Sequence, residues 1–247
     1  MNIINDLIVH ARNDLMSQQI TQNNLTNNLE LQSLLNIIKE KKCKIICDIG
    51  ANIGMHTINY ATYNPESTIY AFEPAKDNLD LLLQNIEKFN LTNINVISKA
   101  LSNKVGQENV HVNWENSGDT RIYGSSDFRP SDIYEVQTTT LDEIFKDSEQ
   151  LDFIKIDTQG CEPEIIEGGK EVIKKFKPII FLEFWPWGYN QRGASVDSIL
   201  ETIDECKYKI KKYHLGSDLV EEVDKNHILD FYNNTQNTNT HENLLLY

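Results

Sequence analysis

The 247-residue chain is long enough to bury a full core as one α/β domain with a small appendage. Its 37 acidic against 23 basic residues give a formal net charge of −14, which argues against nucleic acid or any other polyanionic partner. Cys43, Cys47, Cys161 and Cys206 lack metal-ligand spacing and read as reduced, buried thiols, so no metal is expected. No stretch resembles a signal peptide or a membrane span, which points to a soluble, cytoplasmic protein.

Residues 1–42 are rich in Asn and Gln, and "LELQSLLNIIKE" places Leu31, Leu34, Leu35 and Ile38 on one helical face, as expected of an N-terminal helical cap. Residues 43–232 read as the main domain. There "KIICDIG", a helix over 55–63, "STIYAFEP", a helix carrying Leu79, Leu82, Leu83, Ile86 and Phe89, and "INVISKAL" alternate strand with helix. Apolar strands separated by amphipathic helices predict a mostly parallel sheet with helices on both faces. About 103–140 the rhythm breaks into polar turns, "NSGDTR" and "YGSSDFRPSD", and alternating pieces that predict an inserted pair of strands. Alternation resumes with a capping box, Thr140-Leu-Asp-Glu143, then the strand "LDFIKID", a helix interrupted at Gly168-Gly169, and the strand "KPIIFLEF". After the helix "VDSILETIDEC", the stretches "YKIKKYHL" and "HILDFY" read as the last two strands. Residues 233–247 read as a frayed polar tail whose apolar end could dock.

The stretch "CDIGANIGMHT" falls where the first strand gives way to a helix. Glycines at 50 and 54 suit a sharp turn with a ligand against the backbone, and the helix start offers free amides. A dinucleotide fingerprint needs a middle glycine, where this chain has Asn52, and Asp48 would repel a pyrophosphate but suits an ammonium group. Glu73, ending the second strand in "AFEP", can accept hydrogen bonds from both ribose hydroxyls. A nucleoside joined to an amino acid, S-adenosylmethionine, fits this set.

These stretches, with Ala100-Leu-Ser102, Thr140–Glu143, "DFIKIDTQG", Glu162 and Gly168, together resemble the FkbM family of S-adenosylmethionine-dependent methyltransferases over roughly residues 44–185. The resemblance implies a class I methyltransferase (Rossmann-like) fold with a seven-stranded sheet in the order 3-2-1-4-5-7-6. It also implies S-adenosyl-L-methionine as cofactor and a hydroxyl acceptor on a sugar, glycan or related small molecule. By the resemblance Asp48, Gly50, Asn52 and Gly54, with His56 and Thr57 beside them, lie along the methionine part. Glu73 takes the ribose, and Ser98, Ala100 and Leu101 lie near the adenine.

In "DFIKIDTQGCE", Phe153, Lys155 and Asp157 share one strand face. A lysine there needs a carboxylate, and Asp48, Asp157 and Glu183 are the candidates. Asp157 and then Glu183 are the candidate bases for an acceptor hydroxyl, with Lys155 beside them, and Asp157 also faces the cofactor. "EFWPWGYNQR" supplies Trp185, Trp187, Tyr189 and Arg192, and "NSGDTR" supplies Asn116, Asp119 and Arg121, as candidate acceptor contacts. The competing readings are a nucleotide-cofactor oxidoreductase or sugar-modifying enzyme on a related sheet, and a cofactor-binding module without catalysis.

Overall fold

A computed structural model of the chain describes residues 3–11, 13–21, 28–124, 129–214 and 219–247. Residues 125–128, part of the turn-rich "YGSSDFRPSD", lie outside them. The chain opens with a 3-10 turn, Ile4–Asp6, then α1 (Leu15–Thr21) and α2 (Leu29–Lys41). β1 (Ile45–Ile49), α3 (Met55–Tyr63), β2 (Thr68–Phe72), α4 (Lys76–Lys88) and β3 (Ile94–Ile97) follow. After β4 (Ala100–Leu101), the insertion holds β5 (Gly106–Val112), a 3-10 turn at Ser117–Asp119 and β6 (Asp132–Thr139). Next come α5 (Leu141–Phe145), β7 (Phe153–Ile156), α6 (Glu162–Glu167), α7 (Lys170–Phe176), β8 (Ile179–Phe184), α8 (Pro186–Arg192) and α9 (Asp197–Cys206). The chain ends with β9 (Ile210–Tyr213), β10 (Val220–Val223), α10 (Lys225–Thr235) and β11 (Glu242–Leu246).

Among the described residues eight strands form the central sheet, in the order β10-β9-β11-β8-β7-β1-β2-β3. Seven of them follow the expected 3-2-1-4-5-7-6, with β7, β8, β9 and β11 as the fourth to seventh. The eighth, β10, pairs antiparallel with β9 and extends that edge, so the expected count of seven is corrected. β1 lies between β2 and β7, parallel to both, and Ile46, Cys47, Asp48 and Ile49 are buried on both faces. A strand covered on both sides has no polar alternation, hence its continuous apolar sequence.

Two C-terminal expectations are corrected. "HILDFY" is helical: the Asp224 side chain caps the amide of His227, and Ile228 and Phe231 fall at helical spacing, Ile228 buried and Phe231 against Phe184. The frayed reading of the tail is corrected while the docking of its apolar end holds: Glu242–Leu246 enters the sheet antiparallel between β8 and β9 and buries Leu244, Leu245 and Leu246. Burying one leucine is worth about 1.5–3 kcal/mol, enough for three to dock a short strand that polar flanks disguise.

Elsewhere local chemistry holds. Asn28 caps α2, which buries Leu31, Leu34 and Ile38 as predicted. Thr140 caps α5 through the Glu143 amide, and Gly168-Gly169 divide α6 from α7. The insertion supplies the expected pair of strands, β5 and β6, which with β4 just before it form a separate three-stranded sheet, β4-β6-β5. In α4 the buried face carries Asn78, Leu82 and Asn85, while Leu83 is exposed, so the apolar face predicted through Leu83 is rotated. Among the described residues no helix is long and apolar enough to cross a membrane.

Candidate active site

At the carboxyl ends of β1, β2 and β7, under the insertion, lies a cavity. Gly50, Asn52, Glu73, Ala100, Leu101, Arg121 and Asp157, all singled out in the sequence, line it. Gly50 and Asn52 both have positive φ, +77° and +52°, so the chain leaves β1 through a turn that points backbone at the cavity. A Cβ on Gly50 would lie 1.9 Å from the Asp157 carbonyl oxygen, which fixes glycine there. Glu73 is buried, and its carboxylate accepts from the amides of Asn52, at 2.7 Å, and Ala75, at 2.8 Å. Burial pushes Glu73 up to about 7, against the pull of those two amides.

Asp48 lies beneath the cavity wall, fully buried, rather than in it. One carboxylate oxygen accepts from the Thr57 hydroxyl at 2.6 Å, and the other faces the Lys155 ammonium at 3.3 Å. Lys155 also sits 3.6 Å from Asp157 and donates to the Gly50 carbonyl at 3.2 Å. Burial alone would lower the Lys155 pKa, but Asp48 and Asp157 outweigh it and keep the ammonium charged. The lysine therefore ties the turn after β1 to the end of β7.

Asp157 occupies the cavity rim with its side chain 40% exposed. Gln159, in a left-handed conformation, bridges it to Glu183 by donating to both carboxylates at 3.0 and 3.1 Å. Glu183 does not line the cavity, and burial with the nearby Asp157 and Glu162 charges raises its pKa well above the usual carboxylate range. His241 stands 3.7 Å from Glu183, and Asn243, in register with Glu183, donates to Glu30. Glu162 is buried under the loop and accepts from Thr158 and Gly160, which holds the β7–α6 turn in shape.

Several predicted residues stand elsewhere. Gly54, His56 and Thr57 are off the cavity: Gly54 starts α3 at φ +97° against Leu82, and Thr57 braces Asp48. The His56 Nε2 is sealed from solvent without a hydrogen bond, and burial, with the Lys155 charge, pushes the ring down to about 4. Ser98 is exposed and off the cavity, just beyond the end of β3, whereas Lys99, Ala100 and Leu101 border it. Tyr189 is a core residue bonded to the Glu183 carbonyl, and Trp185 is buried and donates to Asn239. Arg192 is consumed by Glu108 and Glu164, at 3.2 and 2.5 Å, and clamps the insertion to α6. Asn116 caps the Ser117 turn and Asp119 pairs with Arg121 at 2.7 Å, so both shape the insertion without lining the cavity. The Arg121 guanidinium lies over Trp185 and Trp187, 5.1 and 5.5 Å from their ring centroids, which joins the half-buried Trp187 to the cavity wall.

Sequence reasoning missed Asn78, Ser117, Thr120 and Gln159, all in the cavity wall. Asn78 and Asn85 carried a signal: they share the buried stripe of α4 with Leu82, where an unpaired amide is costly.

The Methyltransferase FkbM domain model matches residues 48–210. The chain is 26% identical over 174 residues to the 2-O-methyltransferase NoeI of Sinorhizobium fredii (strain NBRC 101917 / NGR234), covering 64% of this chain and 70% of that protein. It is similar in fold to the crystal structure of Methyltransferase FkbM from Methylobacillus flagellatus KT, with a TM-score of 0.54 at 14% identity over 99% of this chain. This chain spans 57% of that one. With the family's matched segment carrying the Gly50 turn, Glu73 and Asp157 into one cavity, the chain belongs to the FkbM methyltransferase family.

Proposed function

We propose that this protein is an S-adenosylmethionine-dependent O-methyltransferase acting on a hydroxyl of a carbohydrate or related small-molecule or glycan acceptor. One observation carries the reading: the glycine turn, the Glu73 carboxylate and the Asp157 carboxylate meet in a single cavity. The fit to the cofactor is chemical. Gly50 lets the turn pass close against the end of β7, Glu73 offers acceptors for a ribose, and Phe72, Leu101 and Ile122 supply apolar surface for a base. When bound, S-adenosylmethionine supplies an electrophilic methyl group on a sulfonium.

In this account Gly50, Asn52 and Glu73 hold the cofactor. Asp157 at the rim accepts the proton of the acceptor hydroxyl, since an un-ionised alcohol is a poor nucleophile. Lys155 pairs with Asp157 and holds it in place, and Gln159 orients its carboxylate while occupying Glu183. The name of the NoeI relative, a 2-O-methyltransferase, supports a hydroxyl acceptor.

The test is methyl transfer from labelled cofactor to a panel of sugars and glycans. On an acceptor found this way, Asp157→Asn is expected to lower kcat about 100-fold or more, the usual worth of a positioned base, while S-adenosylhomocysteine still binds. A variant keeping more than a third of wild-type kcat would remove Asp157 from this role.

A further inference from the structure

We infer that Asp14, outside the matched family segment, is a positioning residue for the cofactor cavity: it fastens the Ser117–Asp119 turn of the insertion over the cavity and so governs how long a bound cofactor stays. The inference rests on the reading of that cavity as the cofactor site.

Ser117 is 1% exposed and lines the cavity together with Gly118, Asn52 and Asn78. Its carbonyl accepts from Asn52 Nδ2 at 3.1 Å and from Asn78 Nδ2 at 3.4 Å, so the turn is held to the glycine loop and to α4. Its amide donates to Asp14 Oδ2 at 2.8 Å, a bond between residues far apart in the sequence. Asp14 is itself 4% exposed, and its other oxygen accepts from the Ser17 amide at 2.9 Å. Two further ties run from the same segment: the Leu15 amide donates to the Glu115 carbonyl at 2.8 Å, and His10 Nε2 meets Asn78 Oδ1 at 2.9 Å. Asn78 is thus gripped from both ends, by the N-terminal segment and by the turn.

Hydrogen bonds to an ionised carboxylate are the stronger kind. Burial alone would raise the pKa of Asp14, yet its bonds from Ser117 and Ser17 hold it below the usual value, so the charge persists at neutral pH. Removing the carboxylate leaves the Ser117 amide buried without a partner. The turn, whose carbonyl orients two cavity-lining asparagines, then loses its direct bond to the N-terminal segment.

The experiment uses the full chain with Asp14→Ala and, separately, Ser117→Pro. Ser117 is the first residue of a 3-10 turn and follows an extended Asn116 (φ −147°, ψ 94°), a position where proline fits and deletes the amide donor. Affinity and dissociation rate of S-adenosylhomocysteine are measured with thermal stability. Each variant is expected to weaken binding about tenfold, chiefly through faster dissociation, and the double variant to be no weaker than the weaker single one. For Asp14→Ala the KM for S-adenosylmethionine rises while kcat at saturation stays within twofold. Affinities within twofold of wild type in both folded variants would overturn the inference and leave the cofactor reading intact. A wild-type protein that binds no S-adenosylhomocysteine would instead overturn the cofactor reading and this inference with it.

Discussion

Lys155→Met is expected to destabilise the protein by about 3–5 kcal/mol, the cost of leaving a buried charge without its partner. Methionine nearly matches lysine in length, so the loss comes from charge rather than from a void. Asp48 is fully buried, and without the ammonium one of its oxygens has no partner at all, since the Thr57 hydroxyl serves only the other. The loop after β1 also loses the lysine bond to the Gly50 carbonyl. Urea unfolding of Lys155→Met and of the double variant with Asp48→Asn checks the cause: the double variant should recover much of the loss. A single variant within about 1 kcal/mol of wild type would show that the ion pair does not hold this site together.

Gly50→Ala should be nearly as damaging, about 3 kcal/mol or more, for a steric reason. The new Cβ would meet the carbonyl oxygen of Asp157 at 1.9 Å, and that atom belongs to the backbone at the end of β7, which cannot step aside as a side chain can. Gly193 is the internal control. Its φ of +74° nearly equals the +77° of Gly50, but a Cβ there meets nothing within 4 Å. Gly193→Ala should therefore cost only the left-handed conformation, about 1–2 kcal/mol. Equal losses at the two positions would mean that φ alone, and not the approach of β7, makes Gly50 obligatory.

Much of this site was legible because its chemistry is local. Gly50, Asn52, Glu73, Lys155 and Asp157 sit at strand ends, where a parallel sheet gathers them, and the strand periods alone put Lys155 and Asp157 on one face. What stayed hidden depends on long-range pairing. "HILDFY" fits a strand as well as a helix over six residues, and only the Asp224 cap and packing on Phe184 decide between them. The final leucines look like the end of a polar tail until β8 and β9 leave a gap for them. Arg192 and Tyr189 offered ligand chemistry in the sequence, but Glu108, Glu164 and the Glu183 carbonyl had already claimed them. The contacts between the N-terminal segment and the insertion join Asp14 to Ser117, and no spacing pattern announces such a bond.

The central claim is that the cavity beside Glu73 holds S-adenosylmethionine, and calorimetric titration with S-adenosylhomocysteine and NAD tests it most directly. Ionised Glu73 can accept from both ribose hydroxyls, whereas in the free protein it titrates at about 7. Binding that requires the ionised form should therefore tighten about tenfold from pH 6 to pH 8, with proton release, and Glu73→Gln should flatten that rise. The account predicts micromolar-range S-adenosylhomocysteine binding with this pH dependence and no binding of NAD; a folded sample that takes NAD, or neither ligand, would contradict it.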